Sequence, residues 1–395
     1  MRSSVSTPQP SAPAAPRAQT ATWLTFFVNG LIMALWVLGI PTVRDHLQLT
    51  PGVLGLALLA IPVGSLVSMP LTGGWVHRWG SRRVTYAAGL LLAVALLLPF
   101  LASGLGWLLA ALFVFGFGNG SMDVAMNAQG VTVERTLARP VMSGFHAGFS
   151  LGNLAGAGLG SLLTLWGTPP LAQVSGVALA SLLTLSLLRP ALLPRAADQP
   201  EAAEDGAPAP LPSAALWGAL TLVGALCFLG MLVEGAVSDW STLYLRDDLQ
   251  ASPAAAGLGF AAFSGAMTLA RAFGDRLRTR LDDARVVTLG ALLAAVGLGV
   301  GVLVPLAPAA WLGFAAFGLG VANIVPVLYG AGGRAGGGRG IARVSTIGYL
   351  GFMAGPPMIG FVAQHASLRL SLLLVALLAL TVALLAPGFL KQLKR

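Results

Sequence analysis

Between Gly120 and Gly130 the chain reads GSMDVAMNAQG, which places Asp123 and Asn127 one helical turn apart in an otherwise apolar segment. Residues at i and i+4 share a helix face, so the Asn127 amide can hydrogen-bond the Asp123 carboxyl in either protonation state. The next cation, Arg135, lies about 18 Å further along a helix rising ~1.5 Å per residue. A carboxyl that deep in a bilayer is costly to keep and marks function by default. Such a group can load and release a proton. Glu234 stands at a comparable depth, about 18 Å before Arg246 on a continuous helix, and is the natural second ionisable group. His146 lies roughly 10 Å past Arg139, and an imidazole there can relay protons.

Other polar and aromatic residues sit where a solute could meet them. Ser150 and Asn153 follow His146 at i+4 and i+7, on one side of its helix. Asn29, Trp36 and Asn323 are further candidates for substrate contact, since polyol sites combine amides with a stacking ring. Asp239 and Trp240 lie nearer the far end of the Glu234 helix and are read as gating and contact residues. Arg271 and Asp275 are read as a gate pair at the basic end. For each, the plainer alternative is a polar side chain bonded to a neighbouring helix. Trp23, Trp107, Trp166 and Trp311 near segment ends read as interfacial anchors.

The elements that must hold these residues are membrane helices. Of 395 residues, 56% are hydrophobic and 9% charged, far too little charge for a soluble domain of this size. Twelve stretches approach the ~20 apolar residues that a spanning helix takes. Among the 23 Lys and Arg, only Arg44, Arg246 and Arg369 fall toward one side. That asymmetry predicts cytoplasmic N- and C-termini, and it attributes the net charge of +9 to topology rather than to nucleic acid. Lys occurs only at 391 and 394, so no phosphate-binding P-loop exists. No nucleophile–base pair or metal-ligand cluster is apparent, which argues against an enzyme, a cofactor or a metal.

The expected organisation is a disordered tail over 1–20, a six-helix bundle over 21–193, a linker over 194–213 and a second six-helix bundle over 214–395. The linker, RAADQPEAAEDGAPAPLP, is acidic and rich in Ala and Pro, as flexible connectors are. The halves echo each other. Phe115-Gly116-Phe117-Gly118 recurs as Phe317-Gly318-Leu319-Gly320, an offset of 202 residues. Gly148-Phe149 and Gly152 recur as Gly351-Phe352 and Gly355, an offset of 203. Internal repeats of this kind place a substrate site at the interface between halves, here expected from spans 1, 4, 5, 7, 10 and 11. Gly144, Gly148, Gly152, Gly156 and Gly160 form a ridge of small residues that lets another backbone approach closely.

The loop after the second span reads Gly73-Gly74-Trp75-Val76-His77-Arg78-Trp79-Gly80-Ser81-Arg82-Arg83. It resembles the signature loop of the major facilitator superfamily, G-x-x-x-D-R-x-G-R-R. The resemblance implies an all-α membrane protein of twelve helices in two pseudo-symmetric bundles, with Gly73, His77, Arg78, Gly80, Arg82 and Arg83 in a gating role. His77 stands where the family usually has Asp, so gating here is expected to follow its protonation. MDVAMN, GFHAGFSLGNLAGAGLG and EGAVSDW resemble the MosC-like branch, related to a rhizopine-transport membrane protein and near the fucose–proton symporters. That likeness implies a monomeric secondary transporter that takes a small sugar- or polyol-like solute and couples it to protons through Asp123. Its expected partners are the solute, protons and membrane lipid. A proton-driven exporter of amphipathic compounds and a membrane sensor without transport are the competing readings.

Overall fold

The computed structural model describes residues 14–139, 141–198 and 213–393; of the expected tail, residues 1–13, and most of the linker, 199–212, lie outside them. Fourteen α-helices carry the described chain: α1 (Ala14–His46), α2 (Pro51–Leu58), α3 (Ala60–Trp79), α4 (Ser81–Ala95), α5 (Leu105–Leu137), α6 (Met142–Leu165), α7 (Pro170–Leu188), α8 (Arg195–Asp198), α9 (Ala214–Asp247), α10 (Pro253–Arg280), α11 (Asp283–Leu303), α12 (Ala307–Val321), α13 (Ile324–His365) and α14 (Leu368–Gln392).

Among the described residues, eleven helical stretches are long and apolar enough to cross a membrane. The remaining expected span, α6, falls outside that set because its glycines, His146 and Asn153 dilute its apolar content. It packs along α1 as one continuous helix. Leu187, Leu312 and Leu384 are 80%, 73% and 72% exposed. In water such a surface is a liability; in lipid it is the normal exterior.

Two expected spans are not simple rods. The second is split at Leu59 into α2 and α3, and Pro62, which lacks an N–H, falls just after the break. The tenth is split at Ala322–Asn323 into α12 and the start of α13, and α13 kinks again at Gly336 and Gly337, where Gly337 takes φ 57°. At the start of the chain α1 begins at Ala14, inside the stretch read as tail; Pro16 is tolerated there because first-turn N–H groups have no helical partner. The first residues of the expected linker are also ordered: α8 docks Asp198 onto the N-terminus of α4. Its carboxylate accepts from the Ser81 N–H at 2.7 Å, the Ser81 hydroxyl at 2.7 Å and Thr132 Oγ1 at 3.1 Å. A carboxylate suits the positive end of a helix dipole.

Packing repeats with the sequence. Gly116 lets α5 press onto Ile61 of α3, and Gly318 lets α12 press onto Phe263 of α10, each glycine and its partner 202 residues apart across the repeat. Gly118 on Leu92 and Gly320 on Ala294 obey the same offset. The α6 ridge meets α1, not the other half: Gly148 faces Trp23, Gly152 the Phe27 carbonyl and Gly156 Leu31 and Ala34. Gly144, at the ridge's end, faces open space. Replacing Gly152 by Val should therefore cost about 1–3 kcal/mol of overpacking. Gly144→Ala should leave the thermal unfolding midpoint in detergent unchanged. Equal midpoints for the two variants would contradict this assignment of the ridge.

Contacts between the two halves run along α6 and α10 and between α2 and α13. On α6 they use a second face, with Ser161 beside Gly257, Leu154 beside Gly265 and Ser150 beside Arg271.

Candidate functional site

A cavity of about 330 Å³ lies between the halves, lined from α1, α2, α3, α5 and α6 on one side and α9, α10 and α13 on the other. Spans 2 and 8 thus replace the expected span 10. Asn323 instead stands at the helix break, its Nδ2 donating to the Ala270 carbonyl of α10 at 3.2 Å.

Asp123, Glu234, Asp239, Ser150, Asn153 and Trp36 all reach the lining. Asn127 does not, but its Nδ2 donates to Asp123 Oδ1 at 3.1 Å, the bond its spacing implied. His146 is exposed beside the cavity, one turn from Ser150, with its ring edge on Phe26 at 5.3 Å between centroids. Asn29 is buried and reaches Met126 Sδ at 3.9 Å. Trp240 is 1% exposed and packed in the core. Trp36 is nearly as buried at 2%, packed against Phe100 and Phe115, and offers the cavity little surface. Of the interfacial Trp candidates, Trp107 and Trp166 are the exposed ones.

Arg271 is the residue whose place differs most from its sequence reading. It lines the cavity, with Nη2 on Glu234 Oε1 at 3.5 Å, Nη1 on Ser150 Oγ at 3.3 Å and Nε on the Ala322 carbonyl at 3.4 Å. The guanidinium therefore ties α9, the break before α13 and the opposite half through α6. Asp275, its expected partner, has a side chain outside the described residues. Asn119, Ser238, Ser264 and Tyr349 also line the cavity; helical spacing from Glu234 and Asp123 places Ser238 and Asn119 on their faces.

The repeat exposes how the cavity became specialised. Glu234, Asp239 and Arg271 correspond at 202 residues to Ile32, Val37 and Met69, and Asp123 corresponds to Val325. Each charge thus stands where the other half carries an apolar side chain.

One end of the molecule is latched across the halves by a motif that also repeats. Arg44-Asp45-His46-Leu47-Gln48 and Arg246-Asp247-Asp248-Leu249-Gln250 close α1 and α9. Arg44 holds both carboxylate oxygens of Asp247, one at 3.1 Å and one closer, and Arg246 reciprocates onto Asp45 at 3.0 and 2.9 Å. Gln48 and Gln250 both adopt φ 52° and each donates to the carbonyl of its own half's aspartate at 2.6 Å. Nearby, Gln364 of α13 accepts from Thr50 Oγ1 and the Gly52 N–H.

At the opposite end, which bears Ala14 and Gln392, no hydrogen bond or ion pair among the described residues joins the two halves. Gly73 faces open space there, and His77 is exposed. Gly80 takes φ 87° against Arg195, whose Nη2 reaches the His77 carbonyl at 3.4 Å. Arg78 lies over the Trp79 ring, and Arg82 and Arg83 continue into α4.

Helices of this number and length around an inter-half cavity describe a polytopic membrane protein. The chain belongs to the Major Facilitator Superfamily, whose family model matches residues 22–335 and 240–395. It is 39% identical to an MFS-type transporter of Yersinia pestis over 92% of this chain and 94% of that one. It is 31% identical to the membrane protein MosC of Rhizobium meliloti over 92% and 88%. The fold also superposes on a bacterial homologue of the human lysosomal transporter Spinster in an inward-facing, unoccupied conformation, with TM-score 0.73, 13% identity and 98% of each chain covered. On the nucleoside transporter NupG the TM-score is 0.75, with 12% identity and 95% and 99% covered.

Proposed function

We propose that this transporter carries a small polar solute by alternating access between two six-helix bundles, and that Asp123 couples the movement to protons. The carrying observation is the cavity itself, with three carboxyls and one guanidinium set between halves that, among the described residues, are latched at one end only. In this reading the basic, terminal end is cytoplasmic, and the structure is the inward-facing state. Solute enters from the far side when the Arg44–Asp247 and Arg246–Asp45 pairs part.

Protonation neutralises Asp123 while Asn127 keeps it hydrogen-bonded, which lowers the cost of carrying the group through the occluded state. Glu234 and the exposed His146 supply the remaining proton steps toward the open end. The Arg271–Glu234 pair couples those steps to Ser150 of the other half.

Proteoliposomes separate coupling from binding. Asp123→Asn imitates the protonated acid, so solute exchange without a gradient should persist while gradient-driven accumulation disappears. Gradient-driven flux equal to wild type would show that Asp123 is structural. The aromatic and methionine lining, including Phe149, Phe260, Phe352 and Met267, favours a second reading in which the same machinery exports amphipathic compounds. The direction of proton-driven flux in oriented vesicles distinguishes the two.

A further inference from the structure

We infer that the transported solute is an organic cation, its ammonium or amidinium group held by Asp239 and its apolar or ring face laid against the aromatics around it. This rests on the carrier reading and names the solute that the cavity selects. The argument is a census of charge. Four carboxyl or guanidinium side chains line the cavity, three acids and one base. The base is spent internally, because Arg271 directs its nitrogens to Glu234, Ser150 and the Ala322 carbonyl. Three of its five N–H donors are taken by these bonds, and its charge is already answered by Glu234, so an anionic solute would compete with that carboxylate for the same cation. Glu234 is answered by Arg271, and Asp123 by the Asn127 amide.

Asp239 is left over. It lines the cavity, lies on α9 beside Ser238, and has no hydrogen-bond or ion-pair partner among the described residues. A carboxylate withdrawn from bulk water with no partner is expensive, and in the twin half the same position is Val37. The group is therefore not required by the scaffold. A cationic head supplies the missing partner through a charge-assisted hydrogen bond, which is stronger than a neutral one. The surroundings fit the rest of such a molecule. Phe260, Tyr349 and Phe352 contribute ring faces and edges that attract cations as well as apolar surface, while Asn153, Asn119 and Ser264 offer amides and hydroxyls to polar substituents. A neutral polyol would leave Asp239 unanswered.

The test uses purified full-length protein in nanodiscs and two sets of probes matched in shape. One set is benzylamine, benzyl alcohol and benzoate; the other is glucosamine, glucose and glucuronate. Calorimetric titration should show binding by an ammonium member of a set, with the neutral and anionic members of that set far weaker. Asp239→Asn should weaken the ammonium probe about tenfold or more, the worth of one charged hydrogen bond, and should not lower the unliganded unfolding midpoint, since it removes an unpartnered charge. Asp239→Glu should retain the preference. Binding by neutral or anionic members that equals or exceeds the ammonium probes, or binding by no ammonium probe, overturns the inference whether or not the variants fold. So does unaltered ammonium affinity in a folded Asp239→Asn protein. Counterflow separates this from the carrier reading. A cation that binds but never crosses the bilayer sinks the carrier and spares the charge assignment. A neutral solute that crosses while cations do not leaves the carrier standing without it.

Discussion

Reversing Arg44 to Asp should spring the latched end of the molecule, and adding Asp247→Arg should close it again. The single variant sets a new carboxylate against Asp247 and removes the bidentate clamp that joins α1 to α9. Isolated surface pairs are worth little, but here four charges form one network, and both arginines are at most 19% exposed. A loss of about 2 kcal/mol across contacting groups of such a network moves the open–closed equilibrium roughly 30-fold. The readout is labelling of a cysteine placed at Ser238 by an impermeant thiol reagent added from the latched side. Cys227 is buried and serves as an internal control. Labelling should rise steeply in Arg44→Asp and fall back in the double variant. If the double variant stays as open as the single one, the residues do not act as a pair.

A comparably large effect is expected inside the cavity. Arg271→Met removes the cation that pairs with Glu234 and leaves an uncompensated acid between the halves; breaking a fully buried pair costs about 3–5 kcal/mol, and this part-buried one costs less. The expected result is loss of transport together with a lowered unfolding midpoint. Combining it with Glu234→Gln removes the stranded charge, so the midpoint should recover while coupled transport does not. That split separates the pair's structural role from its functional one. Recovery of both properties in the double variant would show that the pair serves packing alone, and recovery of neither would place the damage in the Ser150 and Ala322 bonds.

Much of this architecture was legible before the structure, and for identifiable reasons. Hydropathy marks spans because a long apolar segment in lipid satisfies its own backbone only as a helix, so the helices and their order follow from composition. The glycines of α5 and α12 carried the repeat because close backbone approach tolerates no side chain. Asp123 was legible as an acid in an apolar helix, and its bond to Asn127 followed from their spacing.

The direction in which a face points was not. Asn29 and Asn323 satisfy their own helices' neighbours instead of the cavity, because helical spacing relates residues within a face but does not orient that face. Arg271 was hidden by its setting: a cation at the start of a run of basic residues reads as a topology signal, and only the packing of α10 on α6 brings it to Ser150 and Glu234. The latch was in plain view as Arg44-Asp45 and Arg246-Asp247 at the repeat offset. The same offset that pairs Arg78 and Arg83 with Arg280 and Arg285 finds it when carried to the ends of α1 and α9.

Alternating access about this cavity is the central claim, and spin-label distances at both ends test it most directly. One pair of labels goes at Gln48 and Gln250, exposed beside the latch, and a second at Arg135 and Ala342, exposed toward the terminal end. Both pairs are measured by pulsed electron double resonance in nanodiscs, in the parent protein and in Arg44→Asp. The account predicts opposite changes: the latch-side distance lengthens and the terminal-side distance shortens, as the halves rock about the α6–α10 contact. Lengthening at the latch with no change at the other end would describe local fraying of α1 and α9, and would contradict a carrier whose two ends open in turn.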